Sequence, residues 1–338
     1  MCWKRVSPVD IPEGLRVVAL TRASILFACL GAQLRAGLLG LILWAAAGAG
    51  ATVAAQPTWT AQWIAPAEAD LRAAGAYHFR RSFDLATTPE RFVIHVSADM
   101  RYRLYVNGEE VSAGPARSDV AHWRYETIDL APHLRPGRNV LAAVVWNWGA
   151  LRPLAQMSHR TAFLVQGEGL AADLVDTGPS WRALTNPAYG FRPVVPPDSG
   201  DFYAAAPGEK IDARLYPWGW ERVGFDDSGW TAAVPSVGLP GEGAGAAAAG
   251  TSAFGWASDW QLEPRRLPMP EARPQRFAQL RRAEGVAADD RFLHGTGDLV
   301  IPAHTRVTLL LDQGELTLGY PVLRTSGGSG ARAILTYA

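Results

Sequence analysis

Cysteine is almost missing from this 338-residue chain. It occurs at Cys2 and Cys29 and nowhere beyond. The rest of the chain therefore has no disulfide, no cysteine-type zinc site and no cysteine nucleophile. Lysine is nearly as scarce, at Lys4 and Lys210, and arginine supplies the other basic side chains. An excess of either charge is lacking too: 32 basic side chains face 32 acidic ones. That balance excludes the basic footprint of a nucleic-acid binder and the polybasic segment of a membrane-surface binder. There is no G-x-S-x-G elbow, no P-loop and no H-E-x-x-H. No solenoid repeat and no long helical period runs through the sequence. What is plentiful is tryptophan (13), glycine (34) and proline (24), against 48% hydrophobic and 19% charged residues. This is the composition of a folded, turn-rich chain, with length for about two domains at roughly 150 residues each.

The first 55 residues read as a leader. No charged residue lies between Arg35 and Glu68, and the apolar heart of that run is Leu38 to Ala47. Val53-Ala54-Ala55 before Gln56 fits the small-residue rule for signal-peptidase cleavage. A run of about 20 residues would also permit an uncleaved membrane anchor, though its second half is rich in Gly and Ala. Leu26-Phe27-Ala28-Cys29 is a faint lipobox look-alike. Cleavage before Gln56 would leave a cysteine-free chain in the periplasm or outside the cell, with no membrane span.

The remainder reads as all-β. In Arg91–Ala98, Phe92, Ile94, Val96 and Ala98 point one way, and His95 and Ser97 the other. Tyr102, Leu104 and Val106 repeat the period, and Asn107-Gly108 is the strongest short hairpin signal. Val111 then begins the return strand. His122–Leu130 alternates again, Ala131–Leu134 reads as a short helical turn, and Pro136-Gly137 as a tight turn. Val140–Trp148 is apolar on both faces, as a strand covered on both sides would be. Short strands between frequent turns predict an antiparallel β-sandwich or jelly roll. Residues 56–260 form the first such unit, with a Gly/Ala-rich loop at 241–250. Residues 261–338 form part of a second, in which Arg276–Arg282, Val307–Leu311 and Ala333–Tyr337 read as strands. A chain that stops one residue past a strand reads as the truncated product of a longer gene.

Candidate functional residues are sparse. The seven histidines are dispersed, with no pair at metal-ligand spacing. Asp226-Asp227 and Asp289-Asp290 are sequence neighbours, which do not face each other across a sugar as a glycosidase pair must. The first of these reads as a turn that caps backbone N–H groups and sends Trp230 to the core. Trp123, Trp146, Trp148, Trp218 and Trp220 offer flat faces for sugar rings or fill the core. Trp146 and Trp148 share one face of their strand. Arg117, Ser118 and Asp119 lie in a turn-rich stretch suited to hydrogen-bonding hydroxyls. The binding candidates are Arg117, Asp119, Trp123, Trp146 and Trp148; no catalytic residue, metal ligand or cofactor is assigned. A small hydrolase using Asp119 and Glu126 is a third, more remote reading.

The run from Ala98 to Gly108 (ADMRYRLYVNG) resembles the N-terminal β-sandwich of bacterial α-L-rhamnosidases, glycoside hydrolase family 78. So do Gly114–Asp119, His122–Thr127 with Asp129-Leu130, Asn139–Ala142, Trp181, Asp212–Arg214 and Gly219-Trp220. Phe225–Trp230 completes that module. Leu316-Thr317, Gly319–Pro321, Ser326–Gly328 and Leu335–Ala338 resemble the module that follows. The Tyr-Val-Asn-Gly hairpin alone also recurs in sugar-binding domains of β-galactosidase-like enzymes, and the sandwich is expected to be galactose-binding-like. The resemblance implies an ancillary part of an exported enzyme that removes terminal α-L-rhamnose. Its partners would be rhamnose-bearing glycans or glycosides, in some members with calcium. Family members carry their acid and base in an (α/α)6 barrel, to which nothing here corresponds, so the chain is expected to be inactive alone. A free-standing periplasmic sugar-binding protein is the alternative.

Overall fold

The computed structural model describes residues 57–193, 206–236, 260–271, 273–315, 319, 321–328 and 330–335. The expected leader and the Gly/Ala-rich loop at 241–250 lie outside them. The chain divides into two units between Pro264 and Arg265.

The first unit runs β1 (Ile64–Ala65), β2 (Gly75–Leu85), β3 (Val93–Asp99), β4 (Arg101–Val106), β5 (Glu109–Gly114), β6 (Trp123–Asp129) and β7 (Gly137–Asn147). It continues with β8 (Ala162–Gly167), the short helix α1 (Leu170–Val175), β9 (Arg182–Thr185), β10 (Tyr189–Arg192) and β11 (Gly208–Ile211). Then come β12 (Thr231–Ala232), β13 (Val234–Pro235) and β14 (Leu262–Pro264). Two six-stranded sheets result, in the orders β13-β1-β8-β3-β6-β14 and β12-β9-β2-β7-β4-β5. Their ladders are antiparallel except for β14, which joins β6 in parallel. This is the β-sandwich that the alternation predicts.

The core between the sheets is what the period of two selects. Phe92, Ile94, Val96 and Ala98 meet Tyr102, Leu104 and Val106 there, with Leu141, Ala143 and Val145 from β7. Phe79 and Phe163 stack across the sheets at 5.1 Å, and Trp181 closes edge-on to Phe163 at 5.5 Å. The hairpin turns at Asn107 (φ 53°) and Gly108 (φ 95°), both left-handed as its tight loop requires. The return strand starts at Glu109, two residues ahead of Val111, and a bulge at Leu104/Tyr105 adjusts the register. The Asn107 amide also holds the base of the hairpin. It donates to Asn139 Oδ1 at 2.9 Å and His133 O at 3.0 Å, and its Oδ1 accepts from Val140 N–H.

Both outer faces of the sandwich are covered. Over the first sheet, Trp63, Trp123 and Trp260 pack with Tyr125, Leu164 and Leu262. Asp99 pins this layer from within: it accepts from Ser158 Oγ, from the His159 and Arg160 N–H groups, and from Trp260 Nε1 at 3.0 Å. Over the second sheet, Val140, Ala142 and Val144 lie beneath Trp220 and Trp230. This explains why β7 is apolar on both faces. The Asp226 carboxylate accepts from Ser228 N–H, and Asp227 pairs with buried Arg80 at 2.9 Å, which turns the chain so that Trp230 enters this layer.

The second unit holds an antiparallel pair, β15 (Gln279–Glu284) and β16 (Thr308–Asp312), and one helical turn, α2 (Arg291–His294). Val307–Leu311 is thus a strand, one residue out of step. Residues 333–335 are not a strand: Ile334 and Leu335 are exposed and have no partner strand among the described residues. An apolar run becomes a strand only where a neighbouring strand takes its backbone groups.

Candidate functional site

Of the five sequence candidates, two are occupied with holding the fold. Trp123 is 1% exposed and lies beneath Trp260. Asp119 is exposed but heads a short helical turn, accepting from Ala121 N–H at 2.8 Å and meeting His122 Nδ1 at 3.0 Å. Burial is the largest single influence on the Asp119 carboxyl and pushes it up, but the His122 and Ala121 contacts together outweigh it and hold the carboxyl below its usual range. Arg117 is exposed in the loop after β5. Trp148 is half-buried at the end of β7 and receives the Leu151 N–H. Trp146 is half-buried on the outer face of the second sheet, in the layer of Trp220. Trp123 and Trp146 thus stand on different sheets, and the five do not form one site. Glu126 is no partner for Asp119 in hydrolysis. It is buried, and its two oxygens accept from Tyr102 Oη at 2.9 Å and Ala116 N–H at 3.0 Å.

What the second sheet does present is a cleft of about 610 Å³, lined by Tyr105, Gly108, Tyr216, Trp218, Gly219, Trp220, Glu221 and Arg222. Tyr105 enters from β4, at the phase opposite to the inward Leu104 and Val106. Gly108 comes from the hairpin turn, and the rest from the segment Tyr216–Arg222, whose turns close through Trp220 N–H to Pro217 O and Arg222 N–H to Gly219 O. Gly219 takes φ 79°, a value a side chain would resist. Arg80, buried beneath, donates to Trp220 O and fixes the floor to β2. His78 packs edge-on against Trp220 at 4.3 Å and accepts from the Asn186 amide at 2.8 Å; burial lowers its pKa to about 3, so it is neutral.

The cleft walls are aromatic and ordered. Tyr105 stands edge-on to Trp220 at 5.3 Å, and Tyr216 lies 4.7 Å from Trp218. Trp218 is 69% exposed, yet its indole N–H donates to Ala213 O at 2.8 Å. Burial and the Glu110 carboxylate push the Tyr105 phenol up to about 12 against the opposing Arg103. Burial, Glu209 and Tyr216 do the same for Tyr189, against Trp146 and Arg103. These phenols keep their protons, and that of Tyr105 is directed at Glu110 Oε2 at 3.5 Å. Trp218 and Trp220 are possible sugar faces from sequence alone, whereas Tyr105, Tyr216 and Arg222 are not among them. Two signals pointed to them: the outward phase of Tyr105, and the alternation Tyr216, Trp218, Trp220.

Residues 87–243 match the family described as the α-L-rhamnosidase N-terminal domain. Over that stretch the chain resembles α-L-rhamnosidase N-terminal domains. An α-L-rhamnosidase of Streptomyces avermitilis is 32% identical over 175 residues, 47% of this chain and 16% of that protein. The crystal structure of a family GH78 rhamnosidase of Bacillus sp. GL1 superposes with a TM-score of 0.55 at 28% identity, over 67% of this chain and 22% of that one. The crystal structure of the S. avermitilis α-L-rhamnosidase complexed with L-rhamnose gives a TM-score of 0.38 at 30% identity, over 48% of this chain and 16% of that one. The chain spans less than a quarter of the length of these rhamnosidases. Among the described residues there is no group of three or more His, Cys, Asp or Glu that could hold a metal ion.

Proposed function

We propose that this chain is the ancillary, carbohydrate-binding portion of an exported α-L-rhamnosidase, and that it holds rhamnose-bearing glycans without hydrolysing them. The observation that carries this reading is the match of residues 87–243 to the rhamnosidase N-terminal domain, in a chain that covers 16% of its S. avermitilis relative. The buried, fully bonded Glu126 supports it, because the nearest sequence candidate for a carboxyl pair has no free oxygen to offer a substrate. Export is supported by the uncharged run that ends in Val53-Ala54-Ala55.

The test is incubation of the purified chain with an aryl α-L-rhamnoside, alongside calorimetric titration with L-rhamnose. Binding without release of the aryl group is expected. Turnover that survives repurification would contradict the ancillary role, and absence of any heat would contradict the binding role. Amino-terminal sequencing of the chain recovered from an exporting bacterial host is expected to begin at Gln56.

A further inference from the structure

We infer that the cleft between Tyr105 and Trp218 is a sugar subsite, with the Trp218 ring as platform for one pyranose and Arg222 and Glu221 as partners for its hydroxyls. This deepens the carbohydrate-binding reading above and rests on it. Three observations lead to the cleft. The first is an exposed aromatic face that is held still. The N–H of Trp218 is taken by Ala213 O and its flank rests on Tyr216, so a ligand need not immobilise the ring. With its one polar atom satisfied, the indole shows solvent only an apolar face. The C–H-rich face of a pyranose complements such a surface, because the ring's negative π-face attracts polarised C–H bonds.

The second observation is polar chemistry on the same rim. The Arg222 side chain is 74% exposed and pairs with Glu221 through Nε at 3.3 Å. Adjacent donors and acceptors of this kind match vicinal hydroxyls, and the Tyr105 phenol oxygen, whose proton points to Glu110, can accept from another. The third observation is that the hairpin leaves room for this arrangement. A Cβ on Gly108 would come within 3.2 Å of Arg222 Cγ, so the missing side chain lets the arginine stem lie along the turn. A concave site of about 610 Å³ that combines aromatic walls with a few convergent polar groups has the form of a small-ligand pocket.

The experiment is calorimetric titration of the whole chain and three variants with methyl α-L-rhamnoside and with a rhamnose-terminated disaccharide. Near-ultraviolet circular dichroism confirms that each variant is folded. Trp218→Ala is expected to weaken binding by about tenfold or more, a change of about 1.4 kcal/mol. Arg222→Ala is expected to weaken it less, and Arg117→Ala to leave it unchanged. If the wild type binds while Trp218→Ala and Arg222→Ala bind equally well, the subsite is wrong and the carbohydrate-binding reading survives. Loss confined to Arg117→Ala would likewise overturn the subsite and place the sugar at the loop after β5. If the wild type binds neither ligand, both proposals fall.

Discussion

The two outer faces of the sandwich are built from the same kinds of residue and end in opposite states. Over the first sheet Trp123 and Trp260 are 1% and 0% exposed; over the second, Trp218 is 69% exposed. The difference lies in what crosses each face. On the first, the chain returns at Trp260, donates its indole N–H to buried Asp99, and continues into β14 alongside β6. That return seals the layer, so its tryptophans serve stability. On the second, the segment Tyr216–Trp230 folds down through Trp220 and Trp230 but turns away at Pro217–Gly219, which leaves Trp218 standing. Aromatic richness alone does not mark a sugar site. A ring that is anchored and still bare is the more telling feature.

This contrast is broken most strongly on the sealed side. Trp260→Ala is expected to cost about 3–5 kcal/mol, because it opens a cavity beneath Trp63 and removes one of the four hydrogen bonds to the buried Asp99 carboxylate. Urea unfolding measures this, and a loss under about 1 kcal/mol would show that the layer is not closed.

Acid sharpens the comparison by setting one buried group beneath each face. Burial lowers His78 from 6.5 to about 3, so the folded protein refuses a proton that the unfolded chain accepts. Its contribution is whole above pH 6.5 and declines as pH falls toward 3. Asp99 works the other way. Burial raises it from 3.8 to about 6 despite four hydrogen bonds, so the folded state takes the proton first and stability grows as pH falls from 6 toward 3.8. At pH 5 the His78 loss is about 2 kcal/mol and the Asp99 gain about 1.4 kcal/mol, so the two nearly cancel. Asp99→Asn can keep the bonds to His159, Arg160 and Trp260 through its Oδ1 while its amide donates to Ser158. It is expected to make stability fall more steeply between pH 7 and 5 than in wild type. Parallel slopes in urea unfolding at the two pH values would contradict this.

The smallest effects are expected on the open side. Trp218→Ala is expected to change stability by under about 1 kcal/mol, since most of the ring already faces water. Asp119→Ala, which removes only the cap of a short helical turn, is expected to cost a similar amount and to leave sugar binding intact. Thermal unfolding beside calorimetry separates the two: Trp218→Ala alone loses affinity.

Much of this fold is legible in the sequence. Phe92, Ile94, Val96 and Ala98 alternate because one face of β3 meets the core, and β7 is apolar throughout because both its faces are covered. Asn107-Gly108 announces the hairpin by backbone conformation alone. The fate of each tryptophan is not legible, because it depends on partners far along the chain. Trp123 is buried by Trp260, and the parallel β14–β6 pairing that brings them together has no local signal. Ala333–Tyr337 has the period of a strand, yet its described residues lack a neighbour to pair with. The site is half legible: Trp218 is among the possible sugar faces but not among the five binding candidates, and only the turn at Pro217–Gly219 separates it from the buried tryptophans.

The central claim is that the open face, and not the sealed one, meets sugar. Fluorine NMR of the chain labelled with 5-fluorotryptophan tests it directly, with resonances assigned through Trp218→Phe and Trp123→Phe. On titration with the rhamnose-terminated disaccharide, the Trp218 signal is predicted to shift and saturate while the Trp123 signal stays still. A saturating shift at Trp123 with Trp218 unmoved would contradict the account.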